Sequence, residues 1–335
     1  MANSIYHTEN NRSSKVFIFL NGRCYMNTLL NPLRTASVWS TDVYNIAHRG
    51  ARAFAPENTL ASFAKAQRFG CPMFEMDVHK SKDGELIVHH DDVLTRCTDV
   101  KIKFPGRETY FVSDFTFKEL RSLDAGSWYL REIDLPPVRR QYFLQTLTDA
   151  EIAEFVSAED RDYYQSGEIK LPTLRETLEL AKSTGMMVNV EIKTLTRMYE
   201  SLTEEVVKLI QALDMENRVI ISSFDHEQLC IVRNLSQLIP TGALTSDRLA
   251  KPGDYLKVLD ADAYNPGCYN EYDSMGFSSV TGKLDPYGIQ HARNAGKRVN
   301  VWTCNDKAQM RQLIKAGVTG LISDFPNRVR DVLSE

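Results

Sequence analysis

The sequence contains no Cys-x-x-Cys pair and no clustered cysteine spacing: its six cysteines are scattered over positions 24, 71, 97, 230, 268 and 304. That scatter argues against zinc and against a disulfide framework. It fits reduced thiols, so a cytoplasmic location is expected, with a secreted or periplasmic one as the alternative. Long apolar runs are missing as well. The longest early one, Val16-Phe17-Ile18-Phe19-Leu20, stops at Asn21-Gly22-Arg23. A signal-peptide core needs roughly 7–15 apolar residues and a transmembrane helix about 20, although Arg12 and Lys15 do imitate the positive start of a signal. Positive charge is not in excess either. A net charge of −4 opposes a global grip on nucleic acid. It leaves a small anionic substrate open, because local cations and a metal set the field inside a pocket.

What remains is an ordinary globular composition, 43% hydrophobic and 25% charged, in a chain of 335 residues. α/β barrels often reach this length as one domain. From Tyr44 onward strand-like and helix-like stretches alternate, which favours a parallel sheet. Strands are expected at Tyr44–Ala47, Met73–Val78, Met187–Ile192, Val219–Ser222, Gly242–Leu244, Ala261–Asn265, Arg298–Trp302 and Gly320–Ser323. The short run Leu86–Val88 is set aside as an excursion after the second strand. Asn58 or Thr59 caps a helix that ends at Gly70, and a second helix spans Thr173–Lys182 and closes at Gly185. Eight such units predict a (β/α)8 barrel over 44–335, preceded by an extension, 1–43, with one apolar patch and no clear period. An insertion at about 131–167 separates the second and third barrel strands. Thr148-x-x-Glu151 there fits a capping box. Loops of this length tend to be lids or mobile segments, and Phe143, Phe155, Tyr163 and Tyr164 are available to cover a ligand; a dimer contact or a disordered insertion is the alternative.

Charged side chains gather where the expected strands end. Glu75 and Asp77 stand two apart on one strand and therefore share a face, and Glu191 closes the next strand. Three clustered carboxylates repel one another unless a cation intervenes, and all-oxygen ligation favours one divalent cation, Mg²⁺ or Ca²⁺ with Mn²⁺ open, over zinc. A single such acid is more often a solvated loop residue. His48 and His90 also stand at run ends. Imidazole exchanges protons near neutral pH, but a histidine serves equally as a metal ligand or a packed polar group. Arg49 and Lys193 flank these residues; arginine grips a phosphate with two prongs, whereas lysine acts as a point charge. Trp302 lines the pocket near the leaving group or else packs in the core. Arg121, Arg131, Arg139 and Arg140 read as solvated surface.

The motifs His48-Arg49-Gly50, Pro56-Glu57-Asn58-Thr59, Glu75-x-Asp77, His90-Asp91 and Glu191-x-Lys193 follow one another in order. Similarity continues through Ser222–Asp225, Asn300–Asp306 and Leu321–Pro326. In these motifs the chain resembles the glycerophosphodiester phosphodiesterase (GDPD) family of TIM-barrel phosphodiesterases, over roughly residues 44–130 and 168–333. The resemblance implies metal-dependent hydrolysis of glycerophosphodiesters to sn-glycerol 3-phosphate and an alcohol, through a cyclic phosphate. It implies His48 and His90 as the acid–base pair, Glu75, Asp77 and Glu191 as metal ligands, and Arg49, Lys193 and Trp302 as substrate-binding residues. His89 is then a structural neighbour of His90, and His79, His226 and His291 are surface or packing residues. Glu57 orients Arg49 or His48, and Asn58 caps the helix. The partner is a small phosphodiester, with a homo-oligomer left open. A lysophospholipase D or sphingomyelinase D is the second enzymatic reading. A non-catalytic phosphate-binding barrel is a third, opposed by the completeness of the motifs.

Overall fold

The structure, a computed structural model, describes residues 43–194, 198–268 and 284–335, and the backbone of three earlier strands, Ile5–Thr8, Lys15–Leu20 and Arg23–Thr28. Those three form an antiparallel sheet in which Leu20 faces Arg23 across the ladder. The apolar patch of the extension is thus a strand. Its lack of alternation hides that fact, and Asn21-Gly22, a pair typical of tight hairpins, supplies the one local signal. The rest of the extension lies outside the described residues.

Among the described residues, eight parallel strands close into a barrel: β1 Tyr44–Ala47, β2 Met73–Lys80, β3 Met187–Ile192, β4 Val219–Ser223, β5 Thr241–Thr245, β6 Ala263–Pro266, β7 Arg298–Val301 and β8 Gly320–Ser323. Each pairs with its sequence neighbour, and β1 pairs with both β2 and β8, so no edge is left for β1–β8. The run Leu86–Val88 folds back antiparallel on the end of β2, with Val88 opposite Val78. A small apolar cluster of Ile46, Met73, Ile220, Ala263 and Ile322, from β1, β2, β4, β6 and β8, fills the barrel floor. The larger cluster lies between strands and helices. Since side chains alternate along a strand, the face of β2 that carries Met73 on the floor carries Glu75 and Asp77 toward the mouth. Thr59 caps the helix Leu60–Arg68 through a capping box with Ser62, and Gly185 in a left-handed conformation ends the helix Leu174–Thr184.

The segment 131–167 is folded rather than open. It carries the helices Asp149–Phe155 and Ala158–Gln165, capped by Thr148 and Ser157. Phe155 meets the rings of Phe54 and Phe69, each at 5.0 Å, and the Tyr164 hydroxyl donates to the Phe54 carbonyl at 3.2 Å. Asp160 pairs with Lys65 of the first helix, while Glu151 accepts from Arg328 at 2.8 Å and from Asn327 at 3.1 Å. Phe155 and Tyr164 therefore face the flank of the barrel instead of a ligand, and Tyr163 is exposed. Arg140 is not solvated surface: it is buried, and its guanidinium donates to the carbonyls of Leu135 (2.9 Å) and Leu147 (2.8 Å), stitching the insertion together. Arg121 is half-buried and donates to Leu171 O and to Glu176, both at 3.2 Å.

Although burial alone would raise it, the Arg328 guanidinium and neighbouring donors hold the Glu151 carboxyl down to about 2, below its ordinary 4.5. A carboxylate depressed in the folded state stabilises above its unfolded pKa, and that contribution fades as pH falls through the folded value. Glu151→Gln is expected to lower stability at neutral pH in urea unfolding, with the gap to the parent narrowing from pH 4.5 toward pH 2.

Candidate active site

The mouth of the barrel is built by the residues that follow the strand ends. Asp77 on β2 and Glu191 on β3 are register partners, and Glu75 lies one pleat below Asp77. One oxygen from each of the three carboxyls falls within 4.8 Å of the others. The cluster is buried, and Glu75 Oε1 and Asp77 Oδ1 lie buried without a hydrogen bond. Buried acceptors are rarely left unpaired, so these oxygens, on an all-carboxylate donor set, fit a hard divalent cation. Burial and then repulsion from Asp77 and Glu191 push the Glu75 carboxyl well above its ordinary range. Burial also raises Glu191. Asp77 stays low despite burial because His90, Lys193 and Arg49 surround it.

Arg49 and Lys193 brace this cluster. Arg49 sits in the left-handed region (φ 53°), which a non-glycine residue adopts only when its surroundings hold it there. Its N–H donates to Glu75 Oε2 at 2.9 Å, and its carbonyl accepts from Asn58 N and Ser62 Oγ, both at 3.0 Å. Its side chain donates to Glu57 at 2.9 Å and points Nε toward Asp77 at 3.6 Å. Gly50 next to it also has positive φ (78°), and a Cβ there would strike Ser62. Lys193 reaches Glu191 at 2.9 Å and Asp77 at 3.5 Å; these two carboxylates raise its pKa although burial opposes them. Asn58 does not cap the helix. Its amide donates to Asp77 Oδ2 at 2.8 Å and so orients a cluster carboxylate.

The two histidines face the same cavity, each with its Nδ1 held by a carboxylate. His48 Nδ1 lies 2.7 Å from Asp324 Oδ1, and its Nε2 is 3.8 Å from Glu75. His90 Nδ1 lies 2.6 Å from Asp91 Oδ1. Burial, then Arg49 and Arg52, lowers His48 to about 4 from 6.5. Burial, then Arg49 and Lys193, lowers His90 as well. Sequence reasoning assigns no role to Asp324, Asp91, Arg52 or Arg96. Asp324 was findable in principle: Ala47 and Ser323 are register partners in a closed barrel, so the next residue on each strand meets its counterpart. His79 is buried, bridging the Tyr199 hydroxyl (2.9 Å) and the His90 carbonyl (3.1 Å), and His89 turns away to the Val93 carbonyl (3.3 Å). His226 and His291 make packing contacts with Tyr255 and with Gly253 N.

The cavity holds about 750 Å³. Trp302 lines it and also packs, donating from Nε1 to Asn265 O at 2.8 Å and meeting Phe224 edge-on at 5.3 Å. From the insertion only Gln141, Tyr142 and Phe143 line it, and Phe143 carries the Arg52 guanidinium 3.8 Å above its ring. Glu57 binds three arginines at once, Arg49 at 2.9 Å, Arg52 at 3.5 Å and Arg96 at 2.6 Å. Removing the shared anion leaves buried cations uncompensated. Glu57→Ala is expected to destabilise the fold by roughly 3–5 kcal/mol in denaturant unfolding, and Glu57→Gln, which keeps the acceptor, by less.

Known proteins share this arrangement of chain. The glycerophosphoryl diester phosphodiesterase family pattern matches residues 48–328. A glycerophosphodiester phosphodiesterase of Caldanaerobacter subterraneus is 30% identical over 281 residues, covering 84% of this chain and 93% of that one. One of Bacillus altitudinis is 28% identical over 291 residues, 86% of this chain and 97% of its own. A phosphodiesterase of Oleispira antarctica, solved in complex with the product sn-glycerol 3-phosphate, superimposes with a TM-score of 0.65 at 26% identity, covering 90% of this chain and 100% of that one. With a closed eight-stranded barrel and a match across most of its length, the chain belongs to the glycerophosphoryl diester phosphodiesterase family.

Proposed function

We propose that the protein hydrolyses glycerophosphodiesters to sn-glycerol 3-phosphate and an alcohol, with His48 and His90 as the acid–base pair. The observation that carries this reading is that two carboxylate-anchored imidazoles share one cavity with the acidic cluster and two cations. Asp324 and Asp91 hold each Nδ1 and turn each Nε2 to the cavity. One imidazole takes the proton of the glycerol 2-hydroxyl as its oxygen bonds to phosphorus. The bond to the alcohol oxygen breaks, and the other imidazole protonates that oxygen. Water then opens the cyclic phosphate at the 2-oxygen with the two roles exchanged, which returns both histidines to their starting state. Arg49, whose Nε is buried without a hydrogen bond, and Lys193 offset the charge that builds on the phosphoryl oxygens. Glu75, Asp77 and Glu191 would hold one divalent cation, Mg²⁺ or Ca²⁺, which supplies Lewis-acid polarisation of the phosphate.

Alanine at His48 or at His90 is expected to cost about 10²–10⁴-fold in kcat with glycerophosphocholine, and His89→Ala far less. Equal losses at 89 and 90 would mean that the wrong member of the doublet has been assigned. EDTA should abolish turnover and Mg²⁺ or Ca²⁺ restore it. Full activity together with full metal content in Glu191→Gln would remove Glu191 from the ligand set.

A further inference from the structure

We propose that Asp92, in the cavity that Phe111 and Tyr142 also line, forms a subsite for a positively charged alcohol, a primary or quaternary alkylammonium such as ethanolamine or choline. Cationic glycerophosphodiesters are then the preferred substrates. The proposal rests on the phosphodiesterase reading above.

Outside the acidic cluster, Arg49 is paired with Glu57, Arg52 with Asp324, Arg96 with Asp91 and Glu57, His48 with Asp324, His90 with Asp91, and Lys193 with Glu191. Among the described residues Asp92 is the exception: it lines the same cavity, is half-buried, and makes no ion pair or side-chain hydrogen bond. It is not a loose surface acid. Its carbonyl accepts from Val112 N at 2.9 Å, Leu94 N donates to Tyr110 O at 2.9 Å, and Val93 and Phe111 form an antiparallel bridge between them. This short ladder fixes the backbone of Asp92 opposite Val112, and Phe111 and Tyr142 line the same cavity as Asp92. A fixed carboxylate in a cavity that aromatic residues also line is complementary to an alkylammonium, which gains from the charge and, over a ring face, from the ring quadrupole. No part of glycerol or phosphate carries such a group, so the arm that uses this corner is the alcohol. Asp92 stands two residues after His90, which puts that arm beside His90. The Trp302–Phe224 pair comes from the β7 and β4 ends and offers an uncharged wall to the rest of the substrate.

The test compares kcat/KM of the full chain, supplied with Mg²⁺ or Ca²⁺, for glycerophosphocholine, glycerophosphoethanolamine and the uncharged glycerophosphoglycerol. Release of sn-glycerol 3-phosphate is the readout. The parent should prefer the two cationic substrates. Asp92→Asn should lower that preference about five- to tenfold, mainly through KM for the cationic pair, and Asp92→Glu should restore most of it. A preference within twofold of the parent's in Asp92→Asn overturns the subsite while leaving the hydrolytic reading intact. A parent that hydrolyses none of the three overturns that reading, and the subsite with it.

Discussion

The mutual repulsion of Glu75, Asp77 and Glu191 is the constraint around which the mouth of this barrel is organised. Strand register makes the crowding unavoidable, since Asp77 and Glu191 are direct partners and Glu75 shares their face. Nothing on the barrel floor can offset three buried negative charges, because it is filled by Ile46, Met73, Ile220, Ala263 and Ile322. Compensation has to come from above, and three features provide it. Lys193 sits on the two outer carboxylates. Arg49 turns its backbone N–H onto Glu75 and its side chain toward Asp77, at the cost of a left-handed backbone. The buried oxygens of Glu75 and Asp77 that accept no hydrogen bond belong to a cluster that could hold a cation.

Those compensating groups need their own support, and the loop after β1 is where it converges. Glu57 gathers Arg49, Arg52 and Arg96. Arg52 and His48 then share Asp324, and Arg96 shares Asp91 with His90. The two histidines are thereby linked through carboxylates and arginines to one buried anion. The insertion takes part from outside: its Tyr164, with Tyr129 just ahead of it in the chain, donates to the loop, Tyr164 to the carbonyl of Phe54 and Tyr129 to that of Ala53, which fixes the loop's outer edge. Most of the insertion is therefore scaffold for the arginine loop, and only the stretch Gln141–Phe143 reaches the cavity.

Local sequence revealed whatever depends on local periodicity. The eight barrel strands, the fold-back at Leu86–Val88, the helix start at Thr59 and the capping box at Thr148 are all legible because apolar spacing and capping residues act within a few positions. The acidic cluster was legible because two of its members share a strand. Asp324 was not, since its contact with His48 spans 276 residues and exists only once β8 closes on β1. Arg140 misled for a related reason: an arginine among polar residues resembles surface until the carbonyls that bury it are in place. The placement of Asn58 was missed because its neighbour Thr59 answers the capping requirement and frees the amide for Asp77.

The most direct question to put to the molecule is whether the carboxylate cluster holds a divalent cation. Calorimetric titration of Mg²⁺ and Ca²⁺ into EDTA-stripped protein measures this without reference to turnover. One equivalent should bind per chain and raise the thermal midpoint, and Asp77→Asn should abolish both effects. Absence of binding in the parent, or undiminished binding in Asp77→Asn, would contradict the account.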